Sequence, residues 1–114
     1  MPLYPPLPII ISKNALFMCK IYKEVLRLVA DETEISADLI RSKSRLEDVV
    51  SARQMMAYFC SRAGMSPSTI ASHLGISRQA VCQKIATIED KRQLKSFDFN
   101  FKRIEAQFVK LFPR

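Results

Sequence analysis

Polar and basic side chains suited to contacting DNA bases follow a short glycine-containing turn in the middle of this 114-residue chain. They are Ser77, Arg78, Gln79, Gln83 and Lys84. In a DNA major groove, Arg pairs with the O6 and N7 atoms of guanine, and Gln pairs with the N6 and N7 atoms of adenine. We therefore expect these five residues to lie on the outward face of a helix that contacts base edges.

Two short helices joined by a tight turn would position these side chains. Ser66 followed by Pro67 is the order of an N-cap and a first helical residue, and Ser77 is placed to cap the next helix. Gly75 is predicted to adopt the left-handed conformation that ends the first helix. This is the helix-turn-helix pattern, in which the second helix enters the major groove. We expect that second helix to continue to about Arg92.

The distribution of charge favours a polyanionic partner. The chain carries 18 basic and 11 acidic residues, which gives a formal net charge of +7. Residues 64–85 contain two basic side chains and no acidic one, and the segments on either side are also net basic. A surface that faces DNA phosphates requires such an absence of carboxylates. Basic patches also occur on ribosomal and membrane-surface proteins, so the charge alone does not identify DNA.

The remaining pattern predicts one all-α domain of about six helices over residues 12–114, after a proline-rich lead-in at 1–11. Apolar residues recur at helical spacing over about 12–31 and 46–62, and Ser36 is placed to cap a short helix between them. The 46–62 helix is too apolar to stand alone, so we expect it to be central, with Gly64 at its end. The buried residues predicted on these three helices are Leu16, Cys19, Tyr22, Val25, Leu26, Val29, Leu39, Ile40, Leu46, Val49, Val50, Met56, Ala57, Phe59 and Cys60.

An aromatic segment ends the chain. Phe97, Phe99 and Phe101 alternate as in a strand, but no partner strand is apparent, so we interpret this stretch as a loop that leads into a helix starting at Asp98. The residues predicted on one side of that helix are Phe101, Ile104, Phe108, Leu111 and Phe112. We expect this side to pack on its own domain. The alternative is a homodimer formed through the Phe-rich helix.

The sequence shows no sign of catalysis, of a metal or cofactor site, or of a membrane segment. Cys19, Cys60 and Cys82 have no metal-ligand spacing, and we expect reduced, mostly buried thiols in a cytoplasmic protein. The single histidine, His73, has no plausible catalytic partners, and we assign it no role. We expect no small-molecule substrate, no signal peptide and no membrane span.

The segment before the helix-turn-helix carries the most specific pattern in the chain. Ser-Lys-Ser-Arg occupies residues 42–45, Val-Val follows at 49–50, and Ala-Arg-Gln follows at 52–54. In this order and spacing, the chain from about residue 21 to residue 111 resembles the C-terminal domain of bacterial DnaA. That family binds duplex DNA boxes at the replication origin, and its fold is related to that of Trp repressor.

The resemblance implies roles for individual residues. Lys43 and Arg45 belong to the basic loop, and Arg45 matches the family arginine that reaches into the minor groove. Such an arm responds to groove width and A·T content. Arg53 and Gln54 match the family pair at the start of the long helix, which contacts phosphate and base edges. For Arg53, an ion pair with a nearby acid such as Glu47 or Asp48 is the alternative.

The start of the first helix of the helix-turn-helix is also implicated by the resemblance. Ser66, Pro67 and Ser68 match the family helix start whose backbone amides hold a phosphate. Exposed amides and the helix dipole favour an anion at such a position independently of the family.

The chain departs from the DnaA pattern where the recognition helix begins. DnaA proteins usually carry Asp-His-Thr-Thr-Val there, after a Gly-Gly-Arg turn. This chain has Ser-Arg-Gln-Ala-Val at 77–81, after Gly-Ile at 75–76, so the turn is shorter and only Val81 is kept. Arg78 and Gln79 are instead of the kind found in transcriptional helix-turn-helix proteins. We infer that the docking geometry is retained and the target sequence is changed.

ATP hydrolysis is not expected, because a P-loop needs glycines five positions apart and the two glycines here are eleven apart. The sequence predicts a protein that binds double-stranded DNA sequence-specifically, in replication or its regulation or in a mobile element or phage. One alternative is a helix-turn-helix transcriptional regulator. Another is an interaction adaptor that has lost DNA binding. A third, an RNA or single-strand binder, would need exposed aromatic side chains in the basic region for stacking.

Overall fold

A computed structural model describes residues 13–112, with side chains described from residue 18 onward, and these residues form helices and no strand. The seven helices are α1 (Lys13–Thr33), α2 (Ala37–Ile40), α3 (Glu47–Arg62), α4 (Pro67–Leu74), α5 (Arg78–Ala86), α6 (Ile88–Lys91) and α7 (Lys95–Leu111). The lead-in predicted at 1–11, the cap predicted at Ser12 and the side chain of Leu16 lie outside the described residues. The all-α prediction is confirmed.

Helix α3 is the central element, as its apolar composition predicts. It contacts each of the other six helices. Met55, Met56, Phe59 and Cys60 are almost completely buried along it, because several helices surround it at once. The two helices of the helix-turn-helix, α4 and α5, pack on α3 and on each other. The recognition unit therefore stands on the core of the domain.

Local signals set the helix ends where the sequence predicts them. The hydroxyls of Ser36, Ser66 and Ser77 each accept a hydrogen bond of 3.0–3.2 Å from the backbone amide three residues later. Gly64 and Gly75 have φ angles of +107° and +71°, so each takes the left-handed conformation that ends the preceding helix. These residues define the start of α2, the end of α3, both ends of α4 and the start of α5.

The recognition helix is shorter than predicted. It ends at Ala86, and a separate short helix, α6, starts at Ile88. Between them, the Thr87 hydroxyl donates a 2.9 Å hydrogen bond to the carbonyl of Lys84. Threonine side chains that bond back to the preceding turn bend or interrupt helices. The prediction of one continuous helix to Arg92 is therefore wrong, and this break gives seven helices rather than six.

The aromatic segment is helical from Lys95, so the predictions of a loop at 97–101 and of a helix start at Asp98 are wrong. Phe97 and Phe101 are one turn apart and both buried, whereas Phe99 lies on the opposite side and is 62% exposed. The alternation of aromatic residues thus arises from a helix that buries one face and exposes the other.

The buried face of α7 packs on its own domain. The ring centroid of Phe59 on α3 lies 5.0 Å from that of Phe101 and 5.2 Å from that of Phe108. Aromatic pairs at such separations stabilise a core beyond the area that they bury.

Several residues predicted to be buried lie at the surface instead. Leu46 is 66% exposed because it precedes the first turn of α3, and Leu111 is exposed because it is the last residue of α7. Leu39 lies on a four-residue helix whose one buried position is Ile40. Cys19 is exposed at the rim of the buried face of α1.

No helix within residues 13–112 is both long enough and apolar enough to cross a bilayer.

Candidate nucleic-acid interface

The outward face of α5 presents a continuous row of exposed side chains. Arg78 and Gln79 lie in its first turn, and Cys82 and Gln83 lie one turn later on the same side. Val81 points the other way and is completely buried. The helix is thus anchored through one face and leaves its polar face accessible to a ligand. These side chains match major-groove chemistry in type.

The residues at the two ends of this row have different surroundings. Ser77 is exposed, and its hydroxyl accepts a 3.0 Å hydrogen bond from the Ala80 amide, so its side chain defines the start of α5. Lys84 is half-buried on the flank of the helix instead of fully outward. Burial lowers the pKa of the Lys84 ammonium, and the nearby positive charge of Arg53 lowers that pKa further.

The basic loop between α2 and α3 is held by side-chain to backbone hydrogen bonds. The Ser42 hydroxyl donates to the carbonyl of Leu39 at 2.6 Å and accepts from the amide of Ser44 at 3.1 Å. The Ser44 hydroxyl in turn accepts from the amide of Leu46 at 3.3 Å. Serine hydroxyls commonly bend the chain in this way. The loop is therefore ordered. It exposes Lys43, which lies between the two serines, and Arg45, which follows them.

Arg53 stabilises this loop from behind. Its side chain is only 9% exposed, and its Nε donates a 2.8 Å hydrogen bond to the carbonyl of Ile40. A terminal guanidinium nitrogen donates to the carbonyl of Ser42. Burial lowers the pKa of the Arg53 guanidinium. The group thus bonds two backbone carbonyls and not the carboxylates of Glu47 or Asp48, which the sequence offers as alternatives.

Gln54 belongs to α3, and its side chain is directed at the end of α5. Its Nε2 donates a 3.4 Å hydrogen bond to the hydroxyl of Thr87. Its Oε1 is buried and has no hydrogen-bond partner among the described residues. Together with Ala80, Gln83, Lys84 and Thr87, it lines a small cleft beside the recognition helix. Arg53 and Gln54 therefore lie in the second turn of α3, with their side chains directed at neighbouring elements and not at its start.

The N terminus of α4 is accessible. Ser66 and Ser68 are exposed, and Pro67 is half-buried at the first helical position. The Ser66 hydroxyl also lies 2.9 Å from the hydroxyl of Thr69, which fixes its orientation toward the first turn. A helix start of this kind has its amides and its positive dipole end available to an anion.

Within the described residues, the exposed cations of the candidate interface form no ion pair with an acid. Across residues 13–112, the ion pairs involve Arg27, Arg62, Lys91, Arg92, Lys102 and Arg103. Lys43, Arg45 and Arg78 are exposed and belong to none of these pairs. Exposed cations without an acidic partner are what phosphate binding requires.

Cys82 is an exposed residue of this face that is not among the DNA-contacting candidates predicted from the sequence. Cys82 lies four positions after Arg78, a spacing that places both side chains on the same side of a helix. Helical spacing alone therefore places Cys82 on this face. The sequence instead predicts a buried thiol there, because cysteine side chains are usually buried. Within the described part of the chain, no three His, Cys, Asp or Glu side chains are grouped as metal ligands would be.

Comparison with known protein families identifies this arrangement. The family model for the bacterial DnaA protein helix-turn-helix matches residues 22–88, which is more than half of the chain. Comparisons with individual curated proteins and with solved structures gave no match. The matched region runs from α1 through α5 and includes the basic loop, α3 and both helices of the helix-turn-helix. The chain therefore belongs to the bacterial DnaA helix-turn-helix family, and its domain is a DNA-binding domain.

Proposed function

We propose that this protein binds double-stranded DNA sequence-specifically, with α5 in the major groove. One observation carries the proposal. A helix anchored by the buried Val81 exposes Arg78, Gln79 and Gln83 together, within a segment that contains no acid. Arg and Gln in the first turn of a recognition helix discriminate guanine and adenine by paired hydrogen bonds.

The basic loop supplies the second contact of the proposed complex. Arg45 enters the adjacent minor groove, and Lys43 contacts a phosphate. Because Arg53 and the two loop serines hold the backbone before DNA arrives, less conformational freedom is lost on binding than with a mobile arm. In this arrangement Arg53 positions the loop, and Gln54 positions the end of α5.

The start of α4 and the flank of α5 complete the proposed footprint. The exposed helix start at Ser66, Pro67 and Ser68 holds a phosphate through backbone amides. Lys84 lies on the same flank as Gln54 and reaches a phosphate with its ammonium, while Ser77 keeps the start of α5 in place. These contacts give affinity and register but carry no sequence information.

The biological setting follows from the family together with its altered recognition helix. We propose a role in replication or its regulation, or in a mobile element or phage, on DNA in the cytoplasm. Because residues 77–80 differ from the usual family pattern, the target is a sequence other than the usual DnaA box. The Arg78-Gln79 pair specifically favours a second candidate, a helix-turn-helix transcriptional regulator.

Selection of bound duplexes from a random pool, repeated at two salt concentrations, tests the proposal. We expect an enriched motif and an affinity that falls steeply with salt. Arg78→Ala should cost about 1–3 kcal/mol on that motif and relax the preference at one base pair. Lys110→Ala is the control, because it removes an exposed charge from α7, which packs on α1 and α3. It should leave the motif unchanged.

Two outcomes would change this assignment, and one further experiment separates the two proposed biological settings. An unchanged base preference in both Arg78→Ala and Gln79→Ala would refute the placement of α5 in the groove. Absence of duplex affinity at low salt would favour an adaptor that has lost DNA binding. Mapping of bound sites on the genome separates the two settings, because a regulator should occupy promoters and a replication factor should not.

A further inference from the structure

Outside the DNA-facing surface, a thiol and an imidazole meet between α1 and α4. The Sγ of Cys19 lies 3.7 Å from Nε2 of His73. Cys19 is exposed and His73 is half-buried, so the thiol is open to solvent while its partner is supported by the protein.

The contacts of the His73 ring select the tautomer in which the unprotonated ring nitrogen faces the thiol. Its Nδ1 lies 2.9 Å from the carbonyl oxygen of Thr69, which can only accept a hydrogen bond, so Nδ1 carries the proton. Nε2 is then left as an acceptor directed at Cys19. The ring also packs on the buried ring of Tyr22 at a centroid separation of 4.6 Å. These contacts fix the imidazole from two sides.

This is the arrangement of an activated nucleophile: a thiol beside a base that a third group orients. The thiolate is the reactive form of cysteine, and it forms where a base can take the thiol proton and the sulfur is accessible. Lys23, one helical turn after Cys19 on α1, adds an exposed positive charge on the same side. We propose that Cys19 is a modification site that forms mixed disulfides with small disulfide molecules, with His73 as its base.

The reaction is a thiol–disulfide exchange. His73 Nε2 takes the proton of the Cys19 thiol, and the thiolate attacks one sulfur of the incoming disulfide. A bond forms between Cys19 Sγ and that sulfur, the original disulfide bond breaks, and the second sulfur leaves as a thiolate that takes the proton from His73. The small disulfide is the oxidant, and one of its halves leaves as the reduced thiol.

The two other cysteines are internal controls. Cys60 is completely buried, and burial raises the pKa of its thiol to about 12, so it should not react while the chain is folded. Cys82 is exposed like Cys19 but has no histidine beside it, because the chain contains a single histidine. A comparison of Cys19 with Cys82 therefore separates activation by His73 from simple exposure.

The test measures the rate at which the full chain reacts with 4,4′-dithiodipyridine, a small uncharged disulfide, at neutral pH. In Cys82→Ser the reactive thiol is Cys19, and in Cys19→Ser it is Cys82. We expect Cys19 to react at least about tenfold faster than Cys82. A positioned base accelerates a reaction by about 10²–10⁴-fold, so this expected difference is a small part of that range. His73→Gln in the Cys82→Ser chain should remove that advantage. The same change in the Cys19→Ser chain should leave the Cys82 rate unaltered.

Two results would overturn the proposal. The first is a Cys19 rate no higher than that of Cys82 in chains that keep His73, a comparison that needs no histidine variant. The second is a His73→Gln chain that remains folded, as judged by continued protection of Cys60, and still reacts at the original Cys19 rate. DNA binding does not enter either measurement, so the outcome is independent of the proposed function.

Discussion

Replacement of Arg53 by Met tests the role of this arginine most directly. Methionine keeps an apolar, unbranched stem but lacks the guanidinium, so it removes both hydrogen bonds to the loop. The carbonyl of Ile40 then lies buried without its donor, whereas the carbonyl of Ser42 is only partly buried and can regain water. A hydrogen bond from a charged group contributes about 1.5–3 kcal/mol, and a buried unpaired acceptor costs about 1–3 kcal/mol.

We therefore expect Arg53→Met to lower the free energy of unfolding by about 2–3 kcal/mol, most of it from the buried carbonyl. The free energy of unfolding of a small domain is about 5–15 kcal/mol, so the variant should still fold. Urea unfolding followed by circular dichroism measures the change, and an unaltered m-value would show that the unfolded state is unaffected.

Arg45→Met is the matched control, since it removes an exposed arginine of the same loop that makes no ion pair within residues 13–112. Its stability should stay within about 0.5 kcal/mol of the original chain while its DNA affinity falls.

Arg53→Lys separates positioning from direct contact. Lysine keeps the positive charge, so a simple phosphate contact would survive, but one ammonium cannot reproduce the planar donation to two carbonyls. We expect affinity for the selected duplex to fall in this variant as well. The positioning role of Arg53 is wrong if Arg53→Met lowers the free energy of unfolding by less than about 0.5 kcal/mol. It is also wrong if Arg53→Lys binds DNA as tightly as the original chain.

Four further predictions follow from other parts of the molecule. Gly75→Ala should lower the free energy of unfolding by about 1–2 kcal/mol in urea titrations, because φ is +71° at this position. Steric overlap is not the cause, since no atom of the described residues lies within 4 Å of an added Cβ. An unchanged free energy of unfolding would contradict a left-handed Gly75. The hydrogen bond from Arg92 lowers the pKa of Asp98 in the folded chain. The stability that this pair contributes is therefore fully present above the pKa of Asp98 in the unfolded chain, which is about 4. It is lost as the pH falls through the lower pKa of Asp98 in the folded chain. Asp98→Asn should therefore flatten the decline of stability in acid, and an unchanged decline would refute this. Bound duplex should protect Cys82 from alkylation, as followed by mass spectrometry, and full reactivity in the complex would place α5 outside the groove. Because α7 packs on its own domain, sedimentation should show a monomer, and a mass that falls from dimer to monomer in Phe99→Ser would instead support the homodimer.

Features set by near neighbours in the chain could be predicted from the sequence. The caps at Ser36, Ser66 and Ser77 and the left-handed glycines depend on residues within one turn, so the turn of the helix-turn-helix was predictable. The central position of α3 followed from its apolar composition. The basic loop and the Ala-Arg-Gln segment pointed to the family, which the match over residues 22–88 confirms.

Errors arose where helical periodicity alone does not decide the outcome. The exposure of Phe99 depends on which face of α7 meets α1 and α3. The break at Thr87 depends on a side-chain hydrogen bond to the carbonyl of Lys84, which the spacing of apolar residues does not reveal. Residue type also misled at Cys19 and Cys82, because cysteine side chains are usually buried but both of these are exposed.

The sequence by itself therefore determined the helix-turn-helix, its caps, its acid-free surface and its family, because these depend on residue type and short spacing. Tertiary structure alone decided that Arg53 and Gln54 point at the protein while Arg45, Arg78 and Gln79 point outward. It also alone brought Cys19 to His73, across 54 positions of sequence. The physical reason is that orientation and contact between distant segments are set by how helices pack, and packing is not encoded in any one segment.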